Sequence, residues 1–138
     1  MNGTMNNTDI MLRTVLILGI ISTASIPFPV FSQTAYCREI PATIVGTGGG
    51  DTLTGTDGSD VINGLGGDDV INGLGGDDII CGGGGNDMIN GGSGNDSVYG
   101  GKGNDNLYGN DGNDALFGGD GSDSIDGGAG VDSCKGES

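Results

Sequence analysis

From Gly46 to Lys135 the chain repeats every nine residues with no insertion. The first block is "GTGGGDTLT", and "GTDGSDVIN", "GLGGDDVIN", "GLGGDDIIC", "GGGGNDMIN" and "GGSGNDSVY" follow it. "GGKGNDNLY", "GNDGNDALF", "GGDGSDSID" and "GGAGVDSCK" complete ten blocks. Glycine fills positions 1 and 4 of every block, and aspartate fills position 6. Position 8 is Leu, Ile or Val in nine blocks and Cys134 in the last. A period this strict is the mark of a stacked repeat, in which each unit buries its apolar side only against its neighbours. A flexible Gly-rich linker would keep the composition but not the phase.

One block can be read from its residues. Positions 1 to 6 read as turn, because glycine accepts backbone conformations closed to other residues. Positions 7 to 9, such as Val61-Ile62-Asn63 or Asn106-Leu107-Tyr108, read as a minimal strand. Side chains alternate along a strand, so position 8 points inward while 7 and 9 point out. The expected core is Leu53, Ile62, Ile71, Ile80, Ile89, Val98, Leu107, Leu116 and Ile125. One aliphatic per turn is thin, and the chain carries 19 acidic residues against 4 basic ones, a net charge of −15. Such a charge with so few large apolar residues normally leaves a chain disordered. A polyanion also repels nucleic acid, and no nucleic-acid partner is expected.

A hard cation supplies what the core lacks. Position 6 offers one carboxylate per turn: Asp51, Asp60, Asp69, Asp78, Asp87, Asp96, Asp105, Asp114, Asp123 and Asp132. The glycine turns offer backbone carbonyls beside them, those of Gly49, Gly58, Gly67, Gly76, Gly85, Gly94, Gly103, Gly112, Gly121 and Gly130. Calcium takes 6–8 oxygen ligands in a tolerant geometry, whereas magnesium requires a tighter octahedron and retains water. With no histidine and no paired-cysteine motif, zinc and copper have no site. The missing histidine also removes a Ser-His nucleophile pair and the His-Glu zinc motif of metalloproteases, so a non-enzymatic protein is expected.

The N-terminal part has a different character. Arg13 precedes the apolar run "TVLILGIISTASI" (Thr14 to Ile26), and Pro27 and Pro29 end it. The run falls short of the ~20 residues of a membrane span. Its order of basic then apolar residues, with small residues at "VFS" (Val30 to Ser32), is that of a secretory leader over 1–32. Residues 1–10 carry Asp9 and no Lys or Arg, which makes Met11 the better start. The alternative is a retained anchor helix. Either reading places the rest of the chain outside the cell, secreted or at the surface, and the cleaved leader leaves no membrane span in the mature chain.

The motif Gly-Gly-x-Gly-x-Asp-x-(aliphatic)-x resembles the nonapeptide calcium-binding repeat of the RTX, or haemolysin-type, family, over residues 46–135. The resemblance implies an all-β, right-handed parallel β-roll (a solenoid) in which two nonapeptides make one coil, here about five coils. It implies calcium between equivalent turns of successive coils, bound by position-6 aspartates and turn carbonyls. Asp51 would then face Asp69, Asp60 would face Asp78, and Asp114 would face Asp132, giving up to about eight ions. The repeats hold 16 Asp and two Lys, a charge of −14, which eight calcium ions would nearly cancel. Position 2 departs from glycine at Thr47, Thr56, Leu65, Leu74 and Asn110, and the last repeat has Val131 at position 5. A cleaved N-terminal leader differs from the C-terminal signal of the type I secreted members, so their toxin and protease roles do not carry over.

Smaller signals complete the reading. Three cysteines in an exported chain suggest one disulfide and one odd thiol. A Cys37–Cys81 bridge would pin the capping segment 33–45 onto the roll, leaving Cys134 as a small core residue or a dimerising thiol. Thr43-Ile44-Val45 reads as the end of a degenerate leading repeat, and residues 136–138 as a tail. Tyr99 and Phe117 at position 9 should stack on one face, with Tyr108 on the other, as an outward ladder. Asp68 and Asp77 at position 5 read as solvated. A protein or surface-glycan partner is compatible with this surface, and the oligomeric state is open. Two other roles compete with a self-standing calcium-binding roll. One is an accessory or remnant module of an exported toxin, adhesin or hydrolase; the other is a calcium-bridged cell-surface structural protein.

Overall fold

The computed structural model describes residues 36–137. The proposed leader (1–32) and residues 33–35 of the proposed cap lie outside the described residues. In chain order the strands are β1 (Tyr36–Cys37), β2 (Ile40–Pro41), β3 (Ile44–Val45), β4 (Thr52–Thr54), β5 (Val61–Asn63), β6 (Val70–Gly75) and β7 (Ile79–Gly84). They continue as β8 (Met88–Ser93), β9 (Ser97–Lys102), β10 (Asn106–Asp111), β11 (Ala115–Asp120), β12 (Ser124–Ala129) and β13 (Ser133–Glu137). The odd strands β3 to β13 form one sheet and the even strands β4 to β12 the other. Every pairing within these two sheets is parallel. Up to the register slip after Phe117 in β11, each paired residue lies beside the one 18 positions on: Leu53 by Ile71, Ile71 by Ile89, Ile62 by Ile80. Two blocks therefore make one coil, and the fold is an all-β parallel solenoid of about five turns.

The core is the position-8 column. Ile62, Ile71, Ile80, Ile89, Val98, Leu107 and Leu116 form one buried cluster, with Ile44, Leu53 and Ile125 packed against its ends. Ile44 pairs with Ile62, so the degenerate leading block caps the first coil. Cys134 pairs with Leu116 but is exposed, which corrects its reading as a core residue. No later strand covers that end of the sheet among the described residues.

The strands are longer than the sequence suggested. From β6 to β12 each runs six residues, from position 7 of one block through position 3 of the next. Position 1 belongs to the strand, and the turn shrinks to positions 4 to 6. Since positions 8 and 1 are two residues apart, both face inward. Gly73, Gly82, Gly91, Gly100, Gly109 and Gly118 are buried there.

A hairpin closes the N-terminal side. β1 and β2 pair antiparallel through Arg38 and Glu39, both with positive φ (52° and 70°), the conformation of a tight two-residue turn. Cys37 is bonded to Cys81 of β7, with Cα atoms 5.7 Å apart. This sets the Arg38 guanidinium 4.7 Å from the Tyr99 ring centre. Tyr99 in turn stacks on Phe117, with centroids 5.0 Å apart and planes within 5°. Tyr108 stands on the opposite sheet, in β10.

Candidate metal centre

Each position-6 aspartate ends a turn and starts the strand that follows. Its backbone carbonyl accepts from the position-7 amide of the next coil, as when Val70 N–H donates to Asp51 O at 2.9 Å. The side chains run the other way. Asp69 Oδ1 accepts the Asp51 N–H at 2.8 Å, and Asp78 Oδ1 accepts that of Asp60 at 2.8 Å. The ladder continues through Asp87, Asp96, Asp105, Asp114, Asp123 and Asp132 at 2.8–3.0 Å. One carboxylate oxygen of each thus reaches back to the preceding coil.

The other oxygen has no such role. Oδ2 of Asp69, Asp78, Asp87, Asp96, Asp105, Asp114 and Asp123 is buried with no hydrogen-bond donor. Burying an unpaired charge is costly. A second acceptor stands nearby. A methyl group built on Gly82 would collide with Asp87 Oδ2 and lie 2.7 Å from the Gly100 carbonyl oxygen. At every position-1 glycine from Gly46 to Gly109, the same two oxygens converge. They are Oδ2 of the aspartate five residues on and the carbonyl of the position-1 glycine in the next coil. Two acceptors with no proton between them repel, and a cation removes the repulsion.

The electrostatics agree. Burial, the largest cause, pushes the carboxyls of Asp78 and Asp87 up to about 6; the N–H from the preceding coil pulls them down, and neighbouring aspartates push them up again. Asp69, Asp96 and Asp105 are raised by the same combination, burial first. Among the described residues, no three His, Cys, Asp or Glu side chains gather into one group that could hold a metal. A cation here would draw on single carboxylates and backbone carbonyls. That donor set is all hard oxygen, which fits calcium and not zinc.

The repeat model for the RTX calcium-binding nonapeptide repeat (4 copies) matches residues 45–80, 82–116 and 108–138, more than half of the chain. The chain belongs to the RTX calcium-binding repeat family. Neither a curated protein nor a solved structure matches it. The RTX fold and its aspartate-rich loops are those of a calcium-binding β-roll.

Two features of this RTX array were not read from the sequence. The carbonyls beside the carboxylates are those of position 1, a residue taken as turn. The position-4 carbonyls of Gly67, Gly76, Gly85, Gly94, Gly103 and Gly112 instead abut the position-4 glycine of the next coil. Those of Gly49 and Gly58 face the hydroxyls of Thr47 and Thr56 at 3.3 and 3.2 Å. The second feature is a ladder at position 5. Asp68 Oδ1 accepts the Asn86 N–H at 2.7 Å, Asn86 Oδ1 that of Asn104 at 2.9 Å, and Asn104 Oδ1 that of Ser122 at 2.8 Å. Asp77, Asn95 and Asn113 repeat the pattern toward Val131. The signal was the short polar residue at position 5 in blocks 2 to 9, and Val131 stands in block 10, which no further coil follows among the described residues. Asp68 and Asp77 are exposed but serve as rungs.

Proposed function

We propose that this chain is a secreted or cell-surface β-roll that binds calcium and orders itself as it does so. The observation that carries this reading is the row of buried Oδ2 atoms with no donor, those of Asp69 to Asp114 each beside a backbone carbonyl. The candidate ligands are the ten position-6 aspartates, Asp51 to Asp132. Position-1 carbonyls are the nearest backbone donors, and the position-4 carbonyls of Gly49 to Gly130 are further ones. The spacing allows up to eight ions.

Calcium supplies positive charge where Oδ2 and a carbonyl oxygen face each other. The protein supplies the rest. The Oδ1 ladder fixes the carboxylates from Asp69 to Asp132, the glycine at position 1 leaves room beside them, and the aliphatic column keeps water from the inner side. Without the ion, the chain must bury unpaired charge on a thin core, so ion binding and folding are coupled. Residues 1–32 act as the leader, within which Met11 offers a second start, 33–45 as the cap and 136–138 as a tail. Among the described residues, no helix is long and apolar enough to cross a membrane.

The test is titration calorimetry of the chelator-treated chain with calcium and, separately, magnesium. Saturable calcium binding that magnesium does not reproduce is expected. Equal heats with both ions, or none with calcium, would refute the assignment.

A further inference from the structure

Position 2 divides the turns into two classes. In blocks 3 to 10 this residue always has positive φ, even where it is not glycine: 76° at Leu65, 77° at Leu74 and 76° at Asn110. The position-4 glycines of those blocks, from Gly67 to Gly130, also have positive φ. In blocks 1 and 2, position 2 is Thr47 or Thr56, and neither these threonines nor Gly49 and Gly58 lie in that region. A β-branched residue resists positive φ strongly, so threonine selects a different turn.

That turn changes the chemistry of the aspartate. Thr47 N–H donates to Asp51 Oδ2 at 2.6 Å, and the Thr47 hydroxyl lies 2.9 Å from the same oxygen. Thr56 treats Asp60 Oδ2 identically, at 2.7 and 2.9 Å. The hydroxyl proton has a competing acceptor in the carbonyl of Gly49 or Gly58, but the carboxylate is closer and charged. The row of donorless Oδ2 atoms accordingly begins at Asp69 and omits Asp51 and Asp60. At the other end, Asp123 Oδ2 lacks a donor, and the three atoms nearest a Cβ on Gly118 all belong to Asp123, whereas at the position-1 glycines from Gly46 to Gly109 one of the three is the next-coil carbonyl. The register slips there, between Phe117 and Asp120. Oδ2 without a donor and a next-coil carbonyl therefore coincide at six aspartates: Asp69, Asp78, Asp87, Asp96, Asp105 and Asp114.

We infer that Thr47 and Thr56 make the first coil a cation-independent cap, so that the roll takes calcium at six turns and not at the eight its spacing allows. This rests on the calcium reading above. An amide and a hydroxyl together occupy the lone pairs that a cation would use on Asp51 and Asp60, and calcium would have to displace both. The cap gives the first coil a closed turn without an ion. The disulfide from Cys37 to Cys81 ties the hairpin to the next coil on the same sheet. Later coils then order against an end already formed, as stacked repeats do.

The test counts calcium per full chain at saturation, by metal analysis after removal of free ion, with circular dichroism verifying the folded state. The wild-type chain should hold six ions. T47G/T56G, which restores the glycine turn, should hold eight, and L65T/L74T, which extends the threonine turn, should hold four. A wild-type count of eight would overturn the inference while leaving the calcium assignment intact, as would a folded T47G/T56G that still holds six. A wild-type count of zero would overturn both. If T47G/T56G does not fold, the wild-type and L65T/L74T counts decide.

Discussion

Asp87 accepts the Asp69 backbone N–H through Oδ1 at 2.9 Å and leaves its Oδ2 buried with no donor. The carboxylate therefore has two separable tasks. One oxygen ties successive coils together, and the other is the one that the calcium reading assigns to the ion.

Substitution at this residue should divide those tasks. Asp87→Asn keeps an acceptor for Asp69 and turns a neutral NH₂ toward the Gly100 carbonyl. In chelator it should stabilise the roll by ~1–3 kcal/mol, the cost of an unmet buried group, while removing one calcium from the count. Asp87→Ala removes both tasks and should raise the calcium needed for folding. Far-ultraviolet circular dichroism with and without calcium reads both outcomes.

Two glycines two residues apart provide a paired test. A Cβ at Gly82 meets Asp87 Oδ2 and the Gly100 carbonyl, whereas a Cβ at Gly84 meets nothing within 4 Å. Gly82→Ala should destabilise the calcium-bound roll by ~1–3 kcal/mol through overpacking alone and weaken the adjacent ion. Gly84→Ala should change little. Urea denaturation at saturating calcium measures the difference, and equal effects would contradict the geometry.

These contrasts mark what the sequence made legible. The nine-residue phase carried the stacked strands and the inward column from Leu53 to Ile125, and the RTX resemblance carried the two-block coil. The phase also picked out Asp51 to Asp132 as the repeated carboxylates. Tyr99, Phe117 and Tyr108 fell on the expected faces, because alternation along a strand is a local rule. Strand length was not legible, since a glycine at position 1 signals a turn until the next coil is seen covering it. Thr47 and Thr56 looked like ordinary variation at position 2. Their effect depends on φ and on a hydroxyl reaching a carboxylate four residues away, and neither shows in a repeat consensus. The exposure of Cys134 was hidden for a related reason: an inward position is buried only if another strand lies beyond it.

Protonation should partly replace the ion. The folded-state carboxyls of Asp78 and Asp87 titrate at about 6, above the ordinary 3.8, because burial disfavours their charge. A folded pKa above the unfolded one means that protons favour the fold. That stabilisation is full below about 3.8 and is lost as pH rises through about 6. In chelator, acidification from about pH 7 to about pH 4 should increase β structure. With calcium present, the calcium midpoint should rise as pH falls below about 6, since protons and calcium compete for the same carboxylates. A pH-independent midpoint would count against buried carboxylates as the ligands.

The disulfide should matter most when the ion is scarce. Cys37 and Cys81 are 44 residues apart, and a loop of that size constrains the unfolded chain by ~2–4 kcal/mol in the chain-entropy model. Cys37→Ser with Cys81→Ser should raise the calcium midpoint and release Arg38 from the Tyr99 ring. Tyrosine fluorescence at saturating calcium reads the second effect separately from folding.

The most direct test of coupled folding is a calcium titration of the chain followed by far-ultraviolet circular dichroism, with magnesium in parallel. The account predicts a cooperative coil-to-β transition with calcium and none with magnesium. A chain already rich in β structure in chelator at neutral pH, or one that stays coil at saturating calcium, would contradict it.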